Sequence, residues 1–197
     1  MKRWSVIVGG SVVLIFVAGT LLVTQLAKPK PLAPFDQKSA WQSASTKLDE
    51  ARAQLKQGKA QVTLSQTEVR AVLAEGLGES GAGAVQGVDV NLAPGRLELL
   101  ANLEAGGRPV SLVLSGNPSV SNGALALKVD RVAVGNLPLP VGTALRLVAS
   151  QASGVQVDAE AQTLSIPLTN LAIDGQPVTL DNLTLGNGQL TLAVSAR

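Results

Sequence analysis

An uncharged hydrophobic segment near the N-terminus constrains this chain more than any other feature. Residues Ser5 to Leu26 read SVIVGGSVVLIFVAGTLLVTQL and contain no Asp, Glu, Lys or Arg. At about 1.5 Å per helical residue, this run is long enough to cross a hydrocarbon core of about 30 Å. The sequence therefore predicts an N-terminal transmembrane anchor over residues 1–27 of a single-pass protein of the cell membrane.

The charges beside that segment indicate its orientation. Lys2 and Arg3 precede it, which favours a cytoplasmic N-terminus, whereas two lysines on the other side weaken the preference. A cleaved signal peptide is the alternative, because Val17 and Gly19 could satisfy the small-residue cleavage rule. The apolar run continues beyond them, which favours a retained signal-anchor. Both interpretations place the rest of the chain outside the cytoplasm, in the periplasm or the extracellular space.

Residue types that are missing exclude several classes of function. The chain has no Cys and no His, so it offers no His-based triad, no Cys nucleophile and no zinc site with nitrogen or sulfur ligands. After Trp41 it has no aromatic residue, which removes the platforms that stack exposed bases. Residues 31–197 carry 12 basic and 14 acidic side chains, so a nucleic-acid partner is not expected.

The remaining chemical patterns are better explained by ordinary structure than by catalysis. Carboxylate pairs such as Glu98 with Glu104 fall at turns or on polar strand faces, where carboxylates are solvated. The stretch GLGESGAG at 76–83 lacks the Lys that a phosphate loop requires. The stretch DNLTLGNG at 181–188 has too few oxygen ligands for calcium. We therefore predict a protein without enzymatic activity, catalytic residues, cofactor or metal.

Two segments follow the anchor. Residues 28–37 form a Pro-rich spacer, which is expected to be extended and to lift the domain off the membrane. Residues 38–58 are predicted to form an amphipathic helix, because Trp41, Leu48 and Leu55 recur every seven residues. That face forms either a short coiled-coil seam for a partner or a surface that docks on its own domain. The second interpretation is favoured.

Residues 59–197 are predicted to form a β-rich extracytoplasmic domain. An early helix is marked by Ser65 and Glu68, which fit a capping box. From Val85 onward, apolar residues alternate with polar ones, and turn signals such as Asn122-Gly123 separate the runs. The short connections favour antiparallel pairing, because parallel crossovers need a dozen or more residues.

The alternation shifts by one residue at three places, namely 130–131, 169–170 and 181–182. Such a shift turns side chains to the opposite face unless a β-bulge compensates, and bulges bend a strand. Breaks into new strands are the alternative. The predicted fold class is thus α+β: an N-terminal transmembrane helix, then a curved antiparallel β-sheet packed on or wrapped around one or two amphipathic helices.

The interior of this domain is expected to be almost purely aliphatic. It is either a plain packed core or a groove for an acyl chain between the early helix and the sheet. The residues expected to line such a groove for a hydrophobic ligand are Val69, Val72, Leu73, Leu77, Leu97, Leu99, Leu112, Leu114, Leu125 and Leu127.

The order of segments also resembles a known family. The capped helix VTLSQTEVRAVL at 62–73 is followed by strands and then by NGALALKVDRVAVGNLPLPVGTALRLV at 122–148. This resembles the YpmS-like family of membrane-anchored bacterial proteins and, more loosely, the LmeA-type phospholipid-binding domains. The resemblance covers roughly residues 60–150. It implies a tubular-lipid-binding-like fold in the bacterial cell envelope, and it implies no catalytic residue.

Together these observations predict a membrane-anchored extracytoplasmic binding module. It would hold a phospholipid or another hydrophobic ligand between helix and curved sheet. The alternative is a structural or interaction subunit of a cell-envelope complex. The expected partners are the membrane, through the N-terminal helix, a lipid ligand and an envelope protein.

Overall fold

The computed structural model describes most of the chain beyond the hydrophobic segment. It covers residues 29–79, 85–105, 108–121, 124–149, 155–168, 172–173 and 176–197, without the side chains of residues 77–79, 105, 147–148, 172 and 176. The predicted anchor over residues 1–27 lies outside this part. Among the helices that the structure describes, none is long and apolar enough to cross a bilayer.

The described part of the chain is a mixed α+β structure with few helices. The helices are α1 (Gln37–Leu55), α2 (Gln66–Glu79) and α3 (Val141–Ala149). The strands are β1 (Lys59–Ser65), β2 (Val85–Ala93), β3 (Arg96–Ala105), β4 (Arg108–Ser121), β5 (Ala124–Val134), β6 (Leu137–Leu139), β7 (Gln156–Asp158), β8 (Thr163–Pro167), β9 (Ala172–Ile173), β10 (Gln176–Gly186) and β11 (Gln189–Ala196).

These strands form two sheets rather than the single sheet that the sequence predicts. One has seven strands, in the order β2-β3-β4-β5-β8-β7 with β6 beside β5, and the other has four, in the order β1-β11-β10-β9. Every pairing is antiparallel, as predicted. The second sheet includes β1, which the sequence patterns did not predict and which pairs along its whole length with the last strand, from Lys59 opposite Ser195 to Ser65 opposite Gln189.

Two of the three predicted β-bulges are confirmed. The register between β4 and β5 shifts at Ser115 and Gly116, and Asp130 is the extra residue on β5. The register between β10 and β11 shifts around Asp181. Both shifts coincide with breaks in the period-two pattern. The extra residue of a bulge returns the apolar side chains that follow it to the inward face of the sheet. The third predicted shift, at residues 169–170, lies outside the described residues.

Helix α2 begins as the capping box predicts. The Ser65 backbone N–H donates to Glu68 Oε2 at 2.7 Å, and the Glu68 backbone N–H donates to Ser65 Oγ at 3.3 Å. These two bonds satisfy N–H groups that have no partner in the first turn of a helix. The helix ends at Glu79, within the Gly-rich stretch at 76–83.

The free edge of β2 is closed by its neighbours. The Leu92 N–H donates to Gln66 Oε1 at 3.1 Å, and the Leu92 carbonyl accepts from the Gly188 N–H at 2.9 Å. Further along, the Val88 carbonyl accepts from Arg70 Nε at 2.8 Å. Helix α2 and the β10–β11 turn therefore satisfy backbone groups that an open edge would present to another chain, and they join the two sheets at this edge.

Candidate functional site

The apolar interior consists of two clusters that meet at two leucines. The first cluster lies between the seven-stranded sheet and α3, with Leu103, Val110 and Leu145 at most 1 % exposed. The second lies among α1, α2, β2 and the four-stranded sheet, and contains Leu55. Leu73 of α2 and Leu99 of β3 pack against both clusters.

The structure brings most of the predicted lining residues into this interior. Those in or against the first cluster are Leu112, Leu114 and Leu127, those in or against the second are Val69, Val72 and Leu97, and those against both are Leu73 and Leu99. Leu125 is half-buried, belongs to neither cluster, and lies opposite Val120 beside the connection between β4 and β5. The side chain of Leu77 lies outside the described residues.

Several of these inward-facing residues are not fully shielded. Leu73 and Leu99 are half-buried, although they lie at the junction of the two clusters, whereas Val90 and Leu103 beside them are at most 2 % exposed. The inner face of the central strand β11 behaves in the same way, since its residues Leu190, Leu192 and Val194 pack against the second cluster and remain half-buried. Leu73 and Leu99 are thus more accessible than Val90 and Leu103, as are the other half-buried residues at the margins of the two clusters.

Glu68 anchors a buried polar network between α1 and α2. Its side chain accepts hydrogen bonds from Lys47 Nζ at 2.8 Å, from Ser43 Oγ and from the Ser65 N–H. Burial alone would raise the pKa of this carboxyl, but the bonds from Lys47, Ser43 and Ser65 outweigh burial and lower the pKa from 4.5 to about 2. The carboxylate is therefore ionised at neutral pH and holds the two helices together.

Arg70 is the second buried charge on α2. Its Nε donates to the Val88 carbonyl, its Nη1 donates to the Ala33 carbonyl at 2.5 Å, and the same Nη1 lies 3.4 Å from Asp89 Oδ1. The guanidinium also stacks over the Phe35 ring, 3.9 Å from its centre, which is a favourable cation–π distance. One arginine therefore joins α2, β2 and the segment that precedes α1.

That preceding segment, residues 29–36, is bound to the seven-stranded sheet, and we call it the strap. The Lys30 N–H donates to Ser111 Oγ at 2.5 Å, and the Lys30 carbonyl accepts from Asn102 Nδ2 at 3.0 Å. The Ala33 N–H donates to Asp89 Oδ2 at 3.2 Å. The strap lies against the outer face of β2, β3 and β4 and does not hang free as a spacer.

The residues that bind the strap carry no motif that would identify them from the sequence. The alternation places Ser111 and Asn102 opposite the apolar residues of their strands, yet Ser111 is fully buried and its hydroxyl also donates to Asn102 Oδ1. One feature of the sequence does point to them: small polar residues face each other on neighbouring strands, where their side chains can form hydrogen bonds with the backbone of a segment that crosses the sheet. Within the described residues, no buried side-chain nitrogen or oxygen lacks a partner.

The heptad face of α1 is directed into the protein. Leu55 is 2 % exposed, and Leu48 packs against the second cluster together with Ala44 and Ala51. The favoured interpretation, in which this helix docks on its own domain, agrees with these contacts. A coiled-coil seam would need Leu48 and Leu55 to be accessible to another chain.

Acidic residues in the described ranges do not gather into a metal site. No group of three or more Asp or Glu residues there is close enough to hold an ion. The larger charged side chains on the outer sheet face pair with each other, as Arg96 does with Asp130 at 3.0 Å.

The fold and the site define an α+β protein with two antiparallel sheets, an aliphatic interior and a polar outer face that binds its own N-terminal strap. The model of a family described as uncharacterized protein conserved in bacteria (DUF2140) matches residues 4–196. The chain therefore belongs to this bacterial family, in which YpmS is also placed. No curated protein and no solved structure matches the chain.

Proposed function

We propose that this chain is a membrane-anchored, extracytoplasmic binding module that holds a phospholipid or another hydrophobic ligand in its interior. The hydrophobic segment from Ser5 to Leu26 anchors it. The acyl chain lies between α2 and the two sheets, at the junction of the two apolar clusters.

The accessible junction is the observation that carries this proposal. Leu73 and Leu99 contact both clusters and yet are half-buried, while the centres of the clusters are sealed. A plain core of this size buries its central leucines, because protein interiors are close-packed. Partly accessible leucines where the two clusters meet offer apolar surface that a guest would cover.

The chemistry around the junction suits an acyl chain. Its inward-facing side chains are Leu, Val and Ala, and ligand sites are typically apolar with few polar groups. Among the described side chains of α2, the two buried charges are already paired, Glu68 with Lys47 and Arg70 with Asp89 and the strap. No charge would therefore have to be desolvated for a lipid tail to enter beside Leu73.

The bulges support a sheet that curves around the guest. Asp130 and Asp181 each interrupt a long strand pair, and a bulge increases the local bend and twist of its strand. A bend in each sheet supports the curved arrangement that the resemblance to lipid-binding domains implies.

Native mass spectrometry of residues 29–197, secreted through a bacterial envelope, tests the proposal. This segment keeps the strap and removes the hydrophobic run, so that any lipid carried is bound by the domain. We expect masses that correspond to one bound phospholipid, with the lipid identified after solvent extraction.

A pair of variants on one strand supplies the control. Leu99→Phe fills the junction and should reduce the lipid-bound fraction several-fold. Leu100→Phe makes the same change on the opposite face of β3 and should leave that fraction unchanged. Lipid-free wild-type protein, or equal lipid in both variants with unchanged circular dichroism, would contradict the proposal.

A further inference from the structure

The segment after β5, residues 135–140, carries an exposed apolar side chain, and we call it the apolar turn. Leu137 is 45 % exposed, more than any other large hydrophobic side chain among the described residues. Pro138 and Pro140 beside it are also exposed. A single exposed leucine is common on protein surfaces. Exposure alone therefore does not indicate a binding site, whereas the location of Leu137 relative to the membrane does.

The strap places the start of the bound chain next to this turn. Ser111 binds the Lys30 N–H through its hydroxyl, and its carbonyl accepts from the Gly135 N–H at 2.6 Å. From Lys30 to Ala33 the strap crosses β4, β3 and β2 in that order. On the other side of β4, away from β3, the sheet continues with β5 and then with β6. Leu137 is the first residue of β6. At about 4.8 Å between strands, Leu137 lies roughly 10 Å from Ser111.

The length of chain before the strap limits how far the domain can be from the bilayer. Only Ala27, Lys28 and Pro29 separate the end of the hydrophobic run from Lys30. At about 3.5 Å per residue, this connection reaches at most about 14 Å. The end of the hydrophobic run therefore lies within about 14 Å of Lys30, and the edge strand that carries Leu137 lies roughly 10 Å from the serine that binds Lys30.

We infer that the apolar turn is a lipid-contact site. This inference rests on the membrane anchor of the proposed function. The bound strap fixes the domain with the apolar turn against the bilayer, and Leu137 enters the interfacial region of the lipid. The partner is the lipid surface rather than another protein, because the anchor brings that surface within reach of this turn without any further component.

Site-directed fluorescence in the full chain tests this inference. The sequence has no Cys, so Asn136→Cys gives one label site beside an intact Leu137. Ser119→Cys gives the matched control, because Ser119 is exposed on the same strand as Ser111 and lies about 26 Å along it. Both variants carry an NBD label in vesicles of phosphatidylethanolamine and phosphatidylglycerol, with or without a headgroup nitroxide lipid.

The nitroxide lipid should quench the label at position 136 several-fold more than the label at position 119, and aqueous iodide should show the opposite order. Leu137→Glu in the Asn136→Cys background should bring the lipid quenching close to the value at 119. Equal lipid quenching at the two positions would overturn the inference, and so would a Leu137→Glu variant that is quenched as before.

The failure of the anchor gives a different result. A full chain that leaves the vesicles in an alkaline wash overturns the membrane anchor and, with it, this inference. A lipid-free interior in the mass spectrometry experiment bears on the ligand alone and leaves the quenching result standing.

Discussion

Replacing Glu68 by Gln removes one buried charge and keeps the size of the side chain. In the native protein the carboxylate accepts from Lys47, Ser43 and the Ser65 N–H, and its exposure is 4 %. Glutamine can still accept hydrogen bonds, but it cannot pair with the ammonium group. The variant therefore measures how much the charge contributes to the packing of α1 on α2.

The pKa of Glu68 gives the magnitude and the sign. Its pKa falls from 4.5 to about 2 on folding, which corresponds to about 3 kcal/mol at 1.36 kcal/mol per pKa unit. A carboxyl with a lowered pKa stabilises the fold above its unfolded value, and this contribution is lost as the pH falls through the folded value. The window of loss is therefore about pH 4.5 to 2. Because Lys47 is 40 % exposed, water screens the ion pair, and we expect about 2 to 3 kcal/mol at pH 7.

Urea unfolding of residues 29–197, followed by the fluorescence of Trp41, measures this difference. Trp41 is the sole tryptophan of that segment and lies on α1. With a slope of about 2 kcal/mol per molar urea, Glu68→Gln should lower the midpoint by about 1 to 1.5 M at pH 7. The two curves should converge near pH 2. Glu50→Gln, on the exposed side of α1, should shift the midpoint little at either pH.

Two results would refute the reasoning. An unchanged midpoint for Glu68→Gln at pH 7 would mean that the buried charge contributes nothing. A loss that is as large at pH 2 as at pH 7 would mean that the amide disturbs the geometry of the capping box, and that the charge is not responsible.

Two further predictions concern the strap and the bulge. Arg70→Met should lower the free energy of unfolding by about 2 to 4 kcal/mol, because it leaves backbone carbonyls unpaired and removes the contact with Phe35. Limited proteolysis of this variant should then cut first within the strap. A strap that stays uncut would contradict the role of Arg70 in holding it. Gly116→Ala should cost about 1 to 3 kcal/mol in thermal unfolding, because its methyl group would collide with the Lys128 carbonyl, whereas Gly186→Ala, which meets open space, should melt like the wild type.

Local chemistry made part of this fold predictable from the sequence. The capping box at Ser65 and the parity shifts at residues 130–131 and 181–182 depend on neighbours within a few positions, and the structure has the cap and both bulges where the sequence places them. The second sheet could not be predicted in this way. It depends on the pairing of β1 with β11, which are more than 120 residues apart, and a period-two pattern carries no information about which strand is the partner.

The same limit applies to the candidate site. Alternation at Ser111 and Ser115 correctly separates the two faces of β4, but both serines are fully buried, since polarity alone does not reveal that something covers a polar face. The predicted lining residues face the interior, but their division into two clusters follows from the second sheet. The accessible junction at Leu73 and Leu99 therefore could not be predicted from the sequence.

The strap and the interior share one helix, which restricts how a bound lipid would be exchanged. Arg70, which binds the strap, and Leu73, which faces the junction, are separated by one turn of α2. Under the proposed function, the bound strap and a connection of at most about 14 Å before it keep the domain from swinging on a long tether to a second membrane. Under the proposed function, ligand therefore enters from and returns to the bilayer that holds the anchor, and the module acts as a lipid holder at one membrane rather than as a shuttle between two.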